Sequence, residues 1–329
     1  MLETLKGKLW RWRFWLLIIG ILIVIIWVGF NPWNVAGLTS QPHPAQSYAE
    51  AVQRIEALRA QEAPDMNPVC HLQFLTHNQK AERVIVFVHG YTNCPQQFQA
   101  LGQRFYELGY NVLLAPMPHH GLADRMTEAL SEFRAEELII YADAITDIAQ
   151  GLGEQVVMVG LSGGGVTTAW VAQNRNDLDL AVIISPVFGY AQIPTPLTAG
   201  VMNLYQALPN SFQWWDPALQ ENNVPVYAYP RYSTRALAEF LRVGFSVQAA
   251  ARQGPPAAHS LLVVTNANDM AINNTLVMQV VKDWRAHGAS LTTYEFEAGL
   301  KLGHDLIDPN QPDAQIDVVY PQLIKLITQ

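Results

Sequence analysis

The sequence predicts an α/β domain built on a doubly wound, mostly parallel sheet and preceded by one membrane-spanning helix. Short apolar runs alternate with amphipathic segments from about residue 83 to 328, which is typical of parallel strands joined by helices. One of these runs ends in the sharp turn Gly-Leu-Ser-Gly-Gly at residues 160–164. A long uncharged run, residues 14–30, stands near the N-terminus and predicts the membrane-spanning helix.

The composition suits a single large domain with additions. The chain has 329 residues, half of them hydrophobic, and shows no fixed-period repeat or low-complexity tract. The formal net charge is −8, with a net +3 in the first 13 residues, so the rest of the chain carries −11. An acidic body of this kind argues against nucleic acid as a partner.

The N-terminal apolar run extends with Asn31-Pro32-Trp33 to a predicted anchor at residues 14–33. About 20 residues in a helix cross the roughly 30 Å core of a bilayer. Tryptophans cluster near both ends of the run, as anchors at a membrane interface do. The basic residues all lie in segment 1–13, which predicts a cytoplasmic N-terminus and a body that lies outside the cytoplasm, at the cell membrane.

Two other interpretations of the N-terminal run stay open. It could be a cleaved signal peptide, for which Val35-Ala36-Gly37 would serve as a small-residue cleavage site. However, the run is longer than the roughly 7–15 residues of a signal core. It could also be a buried helix of a soluble protein.

Residues 34–67 are predicted to form a stalk and a short amphipathic helix. The first part is polar and contains proline, and Ser47 with Glu50 matches a helix capping box. Apolar residues then recur at helical spacing, so a helix should run to about Ala63. The globular domain is expected over residues 68–329.

Cys70 and Cys94 are the only cysteines of the chain. In a cytosolic protein they would be two buried thiols, whereas outside the membrane they could pair. A disulfide closing a loop of about 25 residues would contribute roughly 3–4 kcal/mol in the chain-entropy model. Both alternatives stay open at this point, because the sequence does not define the distance between their Cα atoms.

The predicted strands and helices follow one another along the domain. Strands are expected at 70–76, 83–89, 111–115, 156–161, 181–185, 261–265 and 291–296, and helices at 95–108, 131–152, 274–287 and 314–328, the last interrupted by Pro321. Residues 186–258 lack a clear alternation. Ligands of such sheets bind beyond the carboxyl ends of the strands. His89, Ser162, Asp269 and His304 all fall just after predicted strands, at that edge.

Ser162 is the candidate nucleophile. It stands at the tip of a tight turn between a buried strand and a helix rich in small residues. Gly160 and Gly164 remove side chains that would collide where strand and helix approach. The backbone amides after the serine begin a helix, where they favour a developing negative charge. A chance glycine spacing would not come with this strand and this helix.

A serine hydroxyl needs a base to take its proton and an acid to orient that base. His304, in the loop after the last strand, is the candidate base. Asp269, in the loop after the preceding strand, is the candidate acid, so the chain order is Ser, Asp, His. Asp305 is the alternative acid, but a residue beside the histidine should point elsewhere.

Four short segments together resemble the α/β-hydrolase superfamily. They are Val88-His89-Gly90-Tyr91, Gly160-Leu161-Ser162-Gly163-Gly164, Asn268-Asp269 and Gly303-His304, and they look like the carboxylesterase and monoacylglycerol lipase branch, which also contains serine aminopeptidases. The resemblance covers about residues 68–329. It implies that the backbone N–H groups of Tyr91 and Gly163 form the oxyanion hole. It also implies structural roles for His89, His119 and His120, and a cap over the site at about residues 186–258.

The cap contains many aromatic residues, of which Trp214 and Trp215 are candidates for an acyl-binding pocket. The alternative is that they form the core of the cap itself. No cofactor is expected, and no Cys/His cluster has the spacing of a metal site.

The leading functional hypothesis is a membrane-anchored serine hydrolase that cleaves carboxylic esters with a fairly apolar acyl group, a small-molecule or lipid-like substrate. A peptidase or amidase that uses the same residues is the first alternative. A non-catalytic binding protein on a hydrolase fold is the second, and the complete set of Ser162, Asp269 and His304 argues against it.

Overall fold

A seven-stranded, mostly parallel sheet forms the centre of the computed structural model, which describes residues 2–222 and 225–329. In chain order the strands of these residues are β1 (Gln73–Leu75), β2 (Ala81–Val88), β3 (Asn111–Leu114), β4 (Gly153–Leu161), β5 (Leu180–Ile184), β6 (Phe212–Trp214), β7 (Arg231–Ser233), β8 (Ser260–Asn266) and β9 (Leu291–Phe296). The central sheet has the order β1-β3-β2-β4-β5-β8-β9, in which only β1 pairs antiparallel. The predicted α/β-hydrolase fold class is confirmed.

Helices cover both faces of this sheet. They are α1 (Leu2–Phe30), α2 (Tyr48–Arg59), α3 (Gln96–Glu107), α4 (Ala135–Leu152), α5 (Gly163–Asn174), α6 (Thr198–Ala207), α7 (Thr234–Ala251), α8 (Asn274–Ala286) and α9 (Ile316–Thr328). Helix α9 continues through Pro321, where an interruption was predicted; the proline has no N–H, so the helix lacks the hydrogen bond that this residue would give to the carbonyl four residues earlier.

The strand sequences explain the two layers of helices. Side chains of β2 alternate between the faces, so Val84 and Val86 pack with α4 and α5, whereas Ile85 and Phe87 pack with α3 and α9. All four side chains are buried, as expected of a central parallel strand covered on both faces. This packing holds the carboxyl ends of β2, β4, β8 and β9 together at one edge.

The cap comprises helix α6, the antiparallel ribbon of β6 and β7, and the long helix α7. The sequence pattern did not indicate α7, although the helix has 18 residues. The reason is that Glu239 and Arg242 are buried in it, at 4% and 7% exposure, among apolar neighbours. They pair with each other at 2.5 Å, and Arg242 also pairs with Glu136 of α4 at 2.6 Å. Buried ion pairs interrupt the apolar stripe by which a helix is recognised.

Helix α1 contains an apolar stretch, Trp10–Gly29, that is long enough to cross a membrane, and this stretch is exposed along its length. A single N-terminal apolar helix is therefore present, as predicted. A cleaved signal sequence near the N-terminus would have the same length and composition.

The segment after α1 differs from the predicted free stalk, because it lies against the body. The Ser40 hydroxyl donates to Asp143 at 2.5 Å and the His43 amide donates to Asp147 at 2.9 Å, both on α4. The same two carboxylates face the fully buried guanidinium of Arg175. Helix α2 follows, with Ile55 completely buried, so the packed structure begins before residue 68. Polar residues in this segment serve as partners for buried charges, which composition alone does not indicate.

Candidate active site

Ser162 lies at the sharp turn between β4 and α5. Its backbone angles are φ 59° and ψ −111°, a region that costs a non-glycine residue free energy. The turn is possible because a Cβ atom at position 160 would lie 2.0 Å from the carbonyl oxygen of Gly164, and one at position 164 would lie 1.9 Å from that of Val88. Glycine at both positions therefore allows the close approach that raises the serine above the strand ends.

Asp269 and His304 meet above the neighbouring strands β8 and β9. Nδ1 of His304 lies 2.8 Å from Oδ2 and 3.0 Å from Oδ1 of Asp269. A carboxylate only accepts, so Nδ1 carries the proton and Nε2 is left as the basic atom. The Asp269 carboxylate is held in turn by the backbone amides of Ala271 and Ile272, at 2.9 and 3.0 Å.

Ser162 and His304 line the same cavity. The described residues include no hydrogen bond between the serine hydroxyl and Nε2. Such bonds are often long in a site without substrate and shorten when the substrate binds. The cavity thus has the hydroxyl of Ser162 and the imidazole of His304 on its wall, with the buried carboxylate of Asp269 behind the imidazole.

The charges of Asp269 and His304 oppose the effect of burial on the pKa values of both groups. Burial alone would raise the pKa of Asp269, but the nearby His304 and its hydrogen bond lower it below its ordinary value. Burial likewise would lower the pKa of His304, but the carboxylate of Asp269 raises it above its ordinary value. The imidazolium form of His304 is thus stabilised, as the acid–base role needs.

Asp305, the alternative acid, is turned away from the imidazole nitrogens. Its Oδ2 accepts from the side-chain amides of Asn93, Gln97 and Gln311, at 3.2, 2.8 and 2.9 Å. Its Oδ1 accepts from the backbone amides of Ile307 and Asp308. The five donors fully occupy this carboxylate, which joins the last loop to the loop after β2.

The two candidate oxyanion donors are adjacent. A Cβ atom at position 163 would lie 3.1 Å from the backbone nitrogen of Tyr91 and 2.9 Å from the ring of Phe240. Gly163 therefore keeps open the space in front of the Tyr91 amide. Gly163 is the first residue of α5, so its N–H has no partner within the helix and points toward solvent or a ligand.

The cap holds the oxyanion loop by four hydrogen bonds that the sequence did not indicate. The Tyr91 hydroxyl donates to the carbonyl of Ser233 at 3.1 Å and accepts from its amide at 2.8 Å. Thr92 has a left-handed φ of 65°. Its carbonyl accepts a hydrogen bond from the Tyr229 amide, and its hydroxyl accepts one from the Trp215 indole, both at 2.8 Å. A β-branched residue with positive φ is strained, so these partners hold it in place.

The cavity around Ser162 has a volume of about 510 Å³. Trp215 lines it and Trp214 does not, so the structure separates the two cap tryptophans. Apolar residues of the cavity come from both the sheet edge and the cap, namely Leu161, Val187, Tyr190, Pro225, Ala228, Met270, Ala271 and Ile272. A second cavity, of about 540 Å³, lies between α2 and α4, and none of Ser162, Asp269 and His304 lines it.

The other histidines near the site are bonded to the backbone. Burial lowers the pKa of His89 to about 4, so its neutral ring donates from Nδ1 to the Gly90 carbonyl and accepts at Nε2 from the Met117 amide. His120 is buried beside it, and burial lowers its pKa as well. Within residues 2–222 and 225–329, no group of three His, Cys, Asp or Glu side chains could hold a metal ion.

Cys70 and Cys94 form a disulfide, with their Cα atoms 5.3 Å apart. The bond joins the segment before β1 to the end of the oxyanion loop. Tyr227 of the cap packs against it. The loop that carries Tyr91 is therefore fastened both covalently and by the cap.

Known proteins are similar to this chain over its α/β domain. The thermostable monoacylglycerol lipase of Bacillus sp. (strain H-257) is 23% identical over 165 residues, which span 48% of this chain and 60% of that protein. The phospholipase YtpA of Bacillus subtilis (strain 168) is 32% identical over 110 residues, 32% of this chain and 42% of that protein. Both matches thus span less than two thirds of the relative.

Solved structures agree in fold. A structure of the metagenome-derived lipolytic enzymes LipS and LipT superposes with a TM-score of 0.61 at 16% identity, and covers 80% of this chain and 99% of its own. The monoacylglycerol lipase of Paleococcus ferrophilus gives 0.59 at 17% identity, with 78% and 97% covered. The family model described as the alpha/beta hydrolase family matches residues 85–318. This match covers more than two thirds of the sequence, and the chain therefore belongs to the alpha/beta hydrolase family.

Proposed function

We propose that this protein is a membrane-anchored serine hydrolase that cleaves carboxylic esters with an apolar acyl group. The observation that carries the proposal is that Ser162 and His304 line one cavity while Asp269 lies behind His304, with an Nδ1–Oδ2 distance of 2.8 Å. The strained backbone of the serine and the glycines around it serve no evident structural need. The strain and the glycines have an explanation if the Ser162 hydroxyl is a nucleophile, because they expose it at the strand ends.

In the proposed reaction, the Ser162 oxygen attacks the ester carbonyl carbon while Nε2 of His304 takes the hydroxyl proton. The negative charge on the carbonyl oxygen is held by the amides of Tyr91 and Gly163. The C–O bond to the alcohol then breaks, and His304 gives its proton to the leaving oxygen. Water repeats the sequence on the acyl-enzyme, releases the acid and restores Ser162. Asp269 stabilises the imidazolium that forms in each half.

Two observations support an apolar, lipid-like ester as substrate. The lining of the Ser162 cavity is mainly apolar, which suits an ester with an apolar chain. Two relatives are named a monoacylglycerol lipase and a phospholipase, and both names denote enzymes that cleave lipid esters.

Three observations support the anchor and its orientation. The stretch Trp10–Gly29 of α1 is apolar and exposed, and in water such a surface would be unstable. The basic residues all lie in segment 1–13, before the uncharged run 14–30, which favours a cytoplasmic N-terminus. A disulfide between Cys70 and Cys94 suits an oxidising compartment outside the cytoplasm.

The test of the chemistry is labelling with a fluorophosphonate, which reacts only with an activated serine. Wild-type protein should label, and Ser162→Ala should not. The control is Ser246→Ala, because the Ser246 hydroxyl donates to the Val243 carbonyl within α7 and lies outside the cavity. Absence of labelling in wild-type protein would mean a non-catalytic member of the family. Comparison of p-nitrophenyl esters with aminoacyl-nitroanilides then distinguishes an esterase from a peptidase.

The test of the anchor is separate. A reporter fused after Gln329 should be active only outside the cytoplasm, and a carbonate wash should leave the full-length protein in the membrane pellet. Release of a shortened protein would mean that the N-terminal segment is a cleaved signal.

A further inference from the structure

The cap is fastened directly to the end of the anchor helix. Asn203 of α6 has a buried side chain, and all three of its hydrogen bonds go to the backbone at this end. Its Nδ2 donates to the carbonyls of Val28 and Asn31, at 2.6 and 2.8 Å, and its Oδ1 accepts from the Trp33 amide at 3.0 Å.

The sequence explains why α1 needs this partner. The Val28 carbonyl would normally accept from the amide four residues later, but that residue is Pro32, which has no N–H. An unpaired carbonyl at the end of a helix needs water or a side chain, and it is costly at the apolar boundary of a membrane. Asn203 supplies that donor from the cap.

The two helices also come unusually close. A Cβ atom at Gly200 of α6 would lie 3.2 Å from both the Cα and the carbonyl oxygen of Gly29. Small residues at a helix crossing let the backbones approach in this way, as in helix pairs within membranes. The cap is thus joined to the anchor by packing as well as by Asn203.

The stretch of chain next to this junction contains no charged residue. The sequence from Leu180 to Trp215 contains no Asp, Glu, Lys or Arg, although the chain outside its first 13 residues carries −11. Three leucines are exposed on this stretch, Leu197 at 50%, Leu204 at 52% and Leu208 at 48%. We name these three residues the leucine surface. An uncharged apolar surface beside the end of a membrane helix suits contact with lipid.

The same stretch leads to the rim of the Ser162 cavity. Gln192 lines the cavity and donates to the carbonyl of Met270, another rim residue, whose side chain is 77% exposed. Asn273 then bonds the hydroxyl of Thr195 at 3.1 Å, just before the leucine surface begins. The rim, the leucine surface and the end of α1 therefore follow one another along the cap.

We propose that the leucine surface rests on the outer leaflet of the lipid bilayer, and that the Ser162 cavity receives ester substrates that reside in that leaflet. The anchor would then do more than retain the protein, because it would hold the cap against the source of the substrate. The inference about the substrate rests on the proposed ester chemistry, whereas the contact with lipid rests only on the proposed anchor.

The contact is tested by fluorescence quenching on the full-length protein in phosphatidylcholine vesicles with brominated acyl chains. Both native cysteines are in the disulfide, so Leu204→Cys introduces the sole free thiol for a bimane label. The control is Leu108→Cys, which is 48% exposed just after α3, three residues before β3 begins and hence at the opposite edge of the sheet. Bimane at position 204 should be quenched and bimane at position 108 should not. Equal fluorescence at 204 with and without bromine would overturn the proposal, and so would binding of a protein partner there.

The role in substrate access is tested with Gly200→Leu, which should force α6 away from Gly29. The matched control is Gly254→Leu, because a side chain at Gly254 meets nothing within 4 Å. Turnover of a long-chain monoacylglycerol in vesicles should fall about tenfold or more in Gly200→Leu, through loss of the local substrate concentration. Turnover of a dispersed p-nitrophenyl acetate should stay within about twofold, since the site itself is untouched.

Asn203→Leu is the second variant, similar in size but without the amide, and the same pattern is expected. Equal losses on both substrates would mean that the junction only stabilises the fold, and no loss on either would mean that the anchor does not present the substrate. Both results contradict the proposal. Failure of the proposed ester chemistry gives a different pattern. Wild-type protein would then cleave neither ester and take no fluorophosphonate label, while bimane at position 204 would still be quenched.

Discussion

The carboxylate of Asp269 offers the most direct test of the proposed mechanism. Asp269→Asn keeps the size and shape of the side chain but removes its charge. The backbone amides of Ala271 and Ile272 can still donate to the remaining oxygen, so the loop should keep its conformation. The amide nitrogen would then face Nδ1 of His304, and the imidazole would have to accept there. Nε2 would carry the proton and could not act as a base.

The expected magnitude follows from the geometry. The side chain of Asp269 has no exposure, and its Oδ2 lies 2.8 Å from Nδ1. Two unit charges about 4 Å apart in a medium of effective dielectric constant near 20 attract by roughly 4 kcal/mol. Loss of this attraction for the imidazolium corresponds to about 10³ in rate. The unfavourable tautomer should bring the total loss in kcat to about 10⁴.

The assay is turnover of a short p-nitrophenyl ester at saturating concentration, with circular dichroism to verify the fold. Asp305→Asn is the matched control, because it makes the same change in the residue beside His304. Its two oxygens accept from five donors, so the substitution should lower the free energy of unfolding by about 1–3 kcal/mol. Its kcat should fall less than about tenfold, or 1.4 kcal/mol.

The reasoning is refuted if Asp305→Asn loses three or more orders of magnitude while Asp269→Asn, equally folded, stays within tenfold of wild type. Near-equal losses in the two variants would also contradict it, because the structure gives only Asp269 a bond to the imidazole.

Three further results are expected. Burial would lower the pKa of His304, but the Asp269 carboxylate raises it above the ordinary value of 6.5. Since the imidazole must be neutral to act as a base, kcat/KM should fall as the pH decreases through this raised pKa, and Asp269→Asn should move the fall to lower pH. Trp215→Phe keeps an aromatic ring but removes the hydrogen bond from the indole N–H to the Thr92 hydroxyl, so kcat should fall about tenfold with little change in KM. Trp214 lies outside the cavity, so Trp214→Phe should change neither kcat nor KM. The double variant Cys70→Ser, Cys94→Ser should lower the free energy of unfolding by roughly 3–4 kcal/mol in urea denaturation, whereas an unchanged midpoint would mean that the disulfide does not form in the natural protein.

Local patterns predicted the parts of the site that depend on short stretches of chain. The turn at Ser162 is encoded by glycines two residues away on either side, and the strand before it has no polar side chain from Val156 onward. Asp269 and His304 each follow a strand that the same reasoning finds. Because parallel strands end at one edge of the sheet, three separate loops could be expected to meet there.

The remaining contacts depend on residues far apart in the sequence. The bonds from Trp215 and Ser233 to the oxyanion loop span 123 and 142 residues, and no periodicity reports them. The sequence pattern did not predict helix α7, because the paired Glu239 and Arg242 interrupt its apolar face. The segment before α2 looked like a stalk for a related reason, since its polar groups bind Asp143 and Asp147 instead of water.

The tight attachment of this segment decides where the chain can be cut to obtain a water-soluble protein for crystallisation. A start at Pro68 would remove α2, whose Ile55 is completely buried in the core, and would leave the Trp170 indole without the Leu38 carbonyl, to which it donates at 3.1 Å. A start at Asn34 removes α1 but keeps the backbone carbonyl of Asn34, to which the Arg242 guanidinium donates at 2.8 Å. It would expose Asn203, whose amide water can satisfy. The shortest useful fragment therefore begins at residue 34, which is 34 residues before the predicted start of the globular domain at residue 68.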